Sequence, residues 1–138
     1  MSITVYSRES ELPPGCYLAD CAVSGGTLRD YLQKAQEAAG GRLCIRIAPV
    51  YMDFSLPCPS GVGRPLTVAE LQALHQGSPC YFSQALCTEY FTFLREGQAH
   101  VVLFDSLTSL RAKYKAVEAA GISMVLIEDP ALQAQLCS

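Results

Sequence analysis

Apolar positions along the chain change their spacing several times, and each spacing predicts one kind of element. Runs that alternate with polar residues, or that are wholly apolar, predict strands. Apolar residues three and four positions apart predict one face of a helix. The predicted strands are residues 3–6, 16–23, 43–48, 99–104 and 122–127, and the predicted helices begin at Thr27, Thr67 and Leu107 and end before Gly40, Gly77 and Gly121.

The clearest local signal lies at the second helix. Thr67 and Glu70 are spaced as a capping box, in which each side chain satisfies a free backbone amide at the start of a helix. Leu66 before the cap is placed to pack on Leu71 in the first turn. These residues predict a well-defined structural helix and carry no functional information.

Residues 100–130 read as a strand ending in an acid, a helix, and a second strand ending in two acids. Asp105 or Ser106 is expected to cap the helix, and Asp129 before Pro130 is expected to cap a short last helix. The order of strands and helices predicts an α/β (or α+β) fold, with a small mixed sheet, crossover helices and an inserted antiparallel hairpin. We expect residues 1–138 to form a single domain.

The predicted hairpin is rich in aromatic residues. Two alternating runs, residues 90–94 and 99–104, flank a Glu-Gly turn. Such a dense aromatic set either forms an exposed patch that binds a partner, or packs inside and covers the edge of the sheet. The candidate binding residues are Tyr51, Tyr81, Tyr90 and Phe91.

Composition narrows the classes of function. The formal net charge of -3 gives no basic face, so we expect no nucleic-acid partner, and Lys113 with its neighbours Arg111 and Lys115 is expected on a solvated helix face. No apolar run is long enough for a membrane helix, and the first residues do not resemble a signal peptide. We therefore expect a cytoplasmic protein without a membrane partner.

The seven cysteines contain no pair two residues apart, and only His75 and His100 could join them as metal ligands. We expect free thiols that pack as small apolar groups, with no metal and no cofactor. As nucleophiles, Cys80 and Cys87 would each need one of these histidines close by. Nothing in the sequence places them together.

The order of elements resembles the C-terminal part of glycoside hydrolase family 18 barrels, especially their chitinase-like branch. Residues 17–20 (Tyr-Leu-Ala-Asp) and 43–51 are similar to two consecutive barrel strands of that family. Residues 65–104 are similar to its inserted α+β unit, and residues 100–128 to its closing strand, helix and last barrel strand. The resemblance implies a partial TIM-barrel-like topology.

Two departures from the family matter for activity. The catalytic run of three aspartates ending in a glutamate is absent, and so is any tryptophan, whose usual place is taken by Ile127 or Glu128. The resemblance therefore implies a chain without the catalytic half and without chitinase activity. Half a barrel also has open edges, so its sheet either closes differently or pairs with another copy.

Several acids follow predicted strands, where parallel strands would bring them to one edge of a sheet. Asp20, Asp53 and Glu128 are not explained as caps and are the candidate catalytic residues. Two hypotheses follow. The first is a non-catalytic α/β module that binds a protein partner, itself or a small ligand; the second is a small glycosidase-like hydrolase that uses these carboxylates, with or without a metal.

Overall fold

The computed structural model describes residues 2–137, which form two β-sheets and four α-helices. Short 3₁₀ turns lie at Glu9–Glu11 and Gly40–Arg42. The helices are α1 (Leu28–Ala39), α2 (Val68–His75), α3 (Leu107–Ala119) and α4 (Pro130–Cys137). The strands are β1 (Thr4–Tyr6), β2 (Tyr17–Asp20), β3 (Leu43–Arg46), β4 (Tyr51–Leu56), β5 (Arg64–Pro65), β6 (Tyr81–Ser83), β7 (Thr88–Arg95), β8 (Gln98–Phe104) and β9 (Met124–Leu126).

The first sheet is parallel, with the strand order β1-β9-β3-β2. Helix α1 connects β2 to its neighbour β3, as a parallel pair requires. One face of this sheet supplies Ile45 and Val125 to the main hydrophobic core, which also contains Leu32 of α1, Val117 of α3 and Leu132 of α4. Helices α1, α3 and α4 therefore cover one face of the parallel sheet.

The second sheet is antiparallel, has the order β5-β4-β8-β7-β6, and is inserted between β3 and α3. Helix α2 covers one of its faces, where Phe91 and Val102 form a separate buried cluster with Leu66. Side chains alternate along a strand, so Met52 of β4 and its cross-strand neighbour Leu103 of β8 lie on the opposite face. That face borders the cleft described below.

The local signals of the sequence are present in the structure. Thr67 Oγ1 accepts a hydrogen bond from the Glu70 amide at 3.1 Å, and Glu70 Oε1 accepts one from the Thr67 amide at 2.9 Å. Glu96 and Gly97, both with positive φ, form the turn between β7 and β8. Asp129 Oδ1 accepts a hydrogen bond from the Ala131 amide at 3.0 Å and caps α4.

The fold class is confirmed as mixed α and β, but the strands divide differently from the expectation. Strand β4 begins at Tyr51, shortly after β3, but belongs to the other sheet. Strand β8 likewise pairs with β4 and β7, while β9 joins the parallel sheet. The strand, helix and strand of residues 100–130 thus connect two sheets, and the expected hairpin is part of a five-stranded sheet.

Candidate functional site

Two of the three candidate carboxylates meet at the carboxyl end of the parallel sheet. Asp20 ends β2 and Glu128 follows β9, and both contact the guanidinium of Arg46, which ends β3 between them. The Arg46 nitrogens lie 3.8 Å from Asp20 Oδ1 and 3.0 Å from Glu128 Oε1, and Glu9 is a third partner. Burial opposes the charge of Arg46, but its hydrogen bond to Glu128 and the charges of the three carboxylates outweigh this effect and raise the pKa of Arg46.

The sequence patterns did not identify Arg46 as a partner of these acids. Its signal is a lone charge at the end of the otherwise apolar run of residues 43–47. Because the guanidinium contacts three carboxylates, the cluster is a set of ion pairs rather than two acids that share a proton. All three acids are more than half exposed, so the cluster also lacks the enclosed setting that a hydrolytic acid and base need.

The third candidate, Asp53, lies on the other sheet and does not meet Asp20 or Glu128. It is nearly buried on β4, where Oδ1 is 2.8 Å from His100 Nδ1 on β8. Arg64 approaches Oδ2 at 3.6 Å, and the His100 ring stacks on Phe93 with ring centroids 4.5 Å apart. The three candidate carboxylates therefore form no single site.

The four candidate aromatic residues divide between the two faces of the antiparallel sheet. Phe91 is 0% exposed and Tyr51 packs against the same cluster, on the face covered by α2. Tyr81 is 53% exposed, and its ring lies 5.6 Å from that of Tyr90 on the opposite face. Phe91 is therefore unavailable to a partner, because α2 covers it.

One pair that the sequence did not bring together is formed in the structure. Cys80 Sγ lies 3.1 Å from His75 Nε2, which also lies 2.7 Å from the carbonyl oxygen of Ser78. A carbonyl can only accept, so Nε2 carries the hydrogen and cannot take the thiol proton. Burial and Glu89 raise the pKa of the Cys80 thiol. This pair therefore lacks the arrangement of an activated nucleophile.

The structure contains a cleft that the sequence did not predict, between the open face of the antiparallel sheet, the loop that follows β2 and the start of α3. Its volume is about 340 Å³. Its mouth lies between the exposed residues Ala22 and Ser24 on one side and Gly61 and Val62 on the other. The apolar part of its lining consists of seven side chains: Ala22, Val23, Val50, Met52, Phe54, Val62 and Leu103.

The charged residues that line the cleft form a buried ion pair. Lys113 Nζ lies 2.9 Å from both carboxylate oxygens of Asp105, and both side chains line the cleft. Asp105 also accepts hydrogen bonds from Ser109 Oγ at 2.7 Å and from the Val50 amide at 3.1 Å. Ser106, rather than Asp105, caps α3.

The expectation for Lys113 was wrong, since its side chain is 1% exposed. It lies three residues after Leu110 and four before Val117, and both of these are buried residues of α3. That spacing puts Lys113 on the inner stripe of the helix rather than on its solvated face. The same spacing, with Asp105 eight residues earlier, is the signal that could have revealed the pair.

The charges of Asp105 and Lys113 also act on the nearby thiol of Cys21. Burial raises the pKa of Cys21 to about 12, with opposing smaller effects from Lys113 and Asp105.

Within residues 2–137, no three His, Cys, Asp or Glu side chains are grouped to hold a metal ion. In the same part of the chain, no helix has the length and apolar character of a membrane span.

Comparisons with known proteins identify the fold. No protein-family model and no curated protein matches the chain. Among solved structures, a chitinase from Chromobacterium violaceum ATCC 12472 aligns with a TM-score of 0.59 and 22% identity, over 96% of this chain and 43% of that one. The spore cortex-lytic enzyme SleL of Bacillus megaterium QM B1551 aligns with a TM-score of 0.56 and 18% identity, over 99% of this chain and 33% of that one.

A glycoside hydrolase family 18 N-acetylglucosaminidase from Paenibacillus barengoltzii is also similar, with a TM-score of 0.50 and 16% identity over 84% of this chain and 40% of that one. The fold is thus similar to part of these chitinase-like structures, which confirms the resemblance stated from the sequence. The chain spans less than half the length of each of these structures.

Proposed function

We propose that the protein is a non-catalytic α/β module that binds a small, uncharged and mainly apolar ligand in the cleft between its antiparallel sheet and the loop that follows β2. The observation that carries this proposal is a cleft of about 340 Å³ with apolar walls and the Asp105–Lys113 pair in its lining. Pockets for small molecules typically combine this size with apolar walls and a few fixed polar groups.

The ion pair is the reason to expect an uncharged ligand. Asp105 and Lys113 neutralise each other, so a charged ligand buried beside them would lose its hydration without gaining an opposite charge. The ammonium can still donate to a neutral acceptor, such as a carbonyl or hydroxyl oxygen. An uncharged ligand with one such oxygen therefore matches the cleft.

The distribution of the acids supports a non-catalytic role. Asp20 and Glu128 are paired with Arg46, and Asp53 is paired with His100 on the face of the sheet away from the cleft. Among the described residues that line the cleft, Asp105 is the one acid, and four hydrogen-bond contacts occupy its oxygens. No second acid is present there to complete a hydrolytic pair.

Titration with benzyl alcohol tests the cleft, using backbone amide NMR shifts as the measurement. We expect shifts at Ser24, Met52 and Leu103, and weaker binding of benzoate because of its charge.

A Leu103→Trp variant fills the cleft and is expected to weaken the binding of benzyl alcohol by roughly tenfold or more. Leu94→Trp, on the same face of the sheet but 76% exposed, is the matched control. Shifts scattered outside the cleft, or equal affinity in both variants, would contradict the proposal.

A glycosidase-like hydrolase is the second candidate, because the similar structures are described as chitinases and spore cortex-lytic enzymes. We expect no cleavage of chitin oligosaccharides or of peptidoglycan, measured by mass spectrometry of the products. If cleavage is found, Asp20→Asn, Glu128→Gln and Asp53→Asn variants identify the carboxylate responsible. Cleavage lost in any one of them, in a folded protein, would replace the first proposal by the second.

A further inference from the structure

Lys113 is an amine with unusual surroundings, because it is buried yet lines an open cleft. Its Nζ lies 2.9 Å from both oxygens of Asp105, which are held in place by Ser109 and by the Val50 amide. Within residues 2–137, Asp105 is the one hydrogen-bond partner of Nζ in the structure. An ammonium carries three hydrogens, so it retains a donor for a ligand in the cleft.

We infer that Lys113 captures an aldehyde or ketone in the cleft as a protonated Schiff base, with Asp105 receiving and returning the proton. This inference rests on the proposed function, since the same cleft must first admit the ligand. It assigns a covalent role to the pair and names carbonyl compounds with an apolar body as the ligand class.

The step balances with the groups present. Asp105 takes a proton from the Lys113 ammonium, and the freed electron pair of Nζ attacks the carbonyl carbon to form a carbon–nitrogen bond. The carbonyl oxygen receives protons from Nζ and Asp105 and leaves as water. The product is an iminium cation on Nζ beside the Asp105 carboxylate, and addition of water reverses the step.

The surroundings favour this product in two ways. An iminium has the same charge as the ammonium that it replaces, so the buried ion pair with Asp105 is kept and no unpaired charge is created. Apolar walls such as Met52 and Leu103 limit the access of water that would hydrolyse the product.

Reductive trapping tests the inference, and the chain offers internal controls because it has three lysines, Lys34, Lys113 and Lys115. The protein is incubated with benzaldehyde and sodium cyanoborohydride, which transfers hydride to the iminium carbon. Digestion and mass spectrometry then give the rate of benzylation at each lysine. We expect Lys113 to react roughly tenfold or more faster than the exposed Lys34 and Lys115.

The comparison among lysines uses the wild-type chain, so it does not depend on the folding of a variant. In addition, Lys115→Arg should leave the fast benzylation of Lys113 unchanged. Lys113→Arg should abolish that fast benzylation and leave the slower benzylation of Lys34 and Lys115 unchanged. Labelling in the order of exposure, with Lys113 slowest, would overturn the inference. If benzyl alcohol binds the cleft but Lys113 is not labelled faster, the carbonyl inference fails and the proposed function stands; if neither occurs, both fail.

Discussion

The Asp105→Ala variant is expected to lose about 3–5 kcal/mol of unfolding free energy, since it leaves the Lys113 ammonium buried without its partner. Asp105 also accepts hydrogen bonds from Ser109 on α3 and from Val50 between β3 and β4. It thus ties the helical layer to the connection between the two sheets. Urea unfolding followed by circular dichroism measures the loss.

A double variant separates the ion pair from its surroundings. Asp105→Leu combined with Lys113→Met removes both charges and keeps apolar volume, so it should be considerably more stable than Asp105→Ala. If Asp105→Ala costs less than about 1 kcal/mol, Lys113 has reached water and the pair is not buried as described. An exposed ion pair of this chain, Arg64 with Glu70, provides the comparison for that small value.

Local elements could be predicted from the sequence because their signals lie within a few residues of one another. The capping box of Thr67 and Glu70, the Glu96–Gly97 turn and the end of α3 at Gly121 all have such signals. At that last position Gly121 has φ 81°, and the Ile122 amide donates to the Val117 carbonyl, as in a helix-ending motif that favours glycine.

The pairing of strands was harder to predict, because it depends on residues far apart in the chain. Residues 43–54 contain two apolar runs. No local signal indicates that the second run, which forms β4, pairs with β8 about fifty residues later in the chain. The alternation in β8 fits either sheet equally well. Strand order in sheets is set by tertiary packing, which a spacing pattern does not record.

The same limit explains which site residues were found. Asp20 and Glu128 were expected at one edge of a sheet and lie there, since both follow strands of the parallel sheet. Asp53 was expected with them but lies elsewhere, because β4 belongs to the antiparallel sheet. Lys113 was misplaced for a different reason: a charged residue on an apolar stripe was assigned by its charge rather than by its position.

The Phe91→Ala variant is expected to cost about 3–5 kcal/mol, because it removes a fully buried ring from the small cluster under α2. The ring contacts His75, Phe93 and Phe104, with centroids 5.2–6.5 Å apart. Leu66 and Val102 are the other buried members of that cluster. Denaturant unfolding of the purified variant gives the value.

Tyr81→Ala provides the matched control, since Tyr81 is an aromatic residue of the same sheet that is 53% exposed. Its contact with Tyr90 is worth about 0.5–1.5 kcal/mol, so a loss within that range is expected. Equal losses in the two variants would mean that the aromatic residues form one continuous surface, as the sequence allowed. A large loss for Phe91 alone identifies it as core, and restricts a binding role for this sheet to the face that carries Tyr81 and Tyr90.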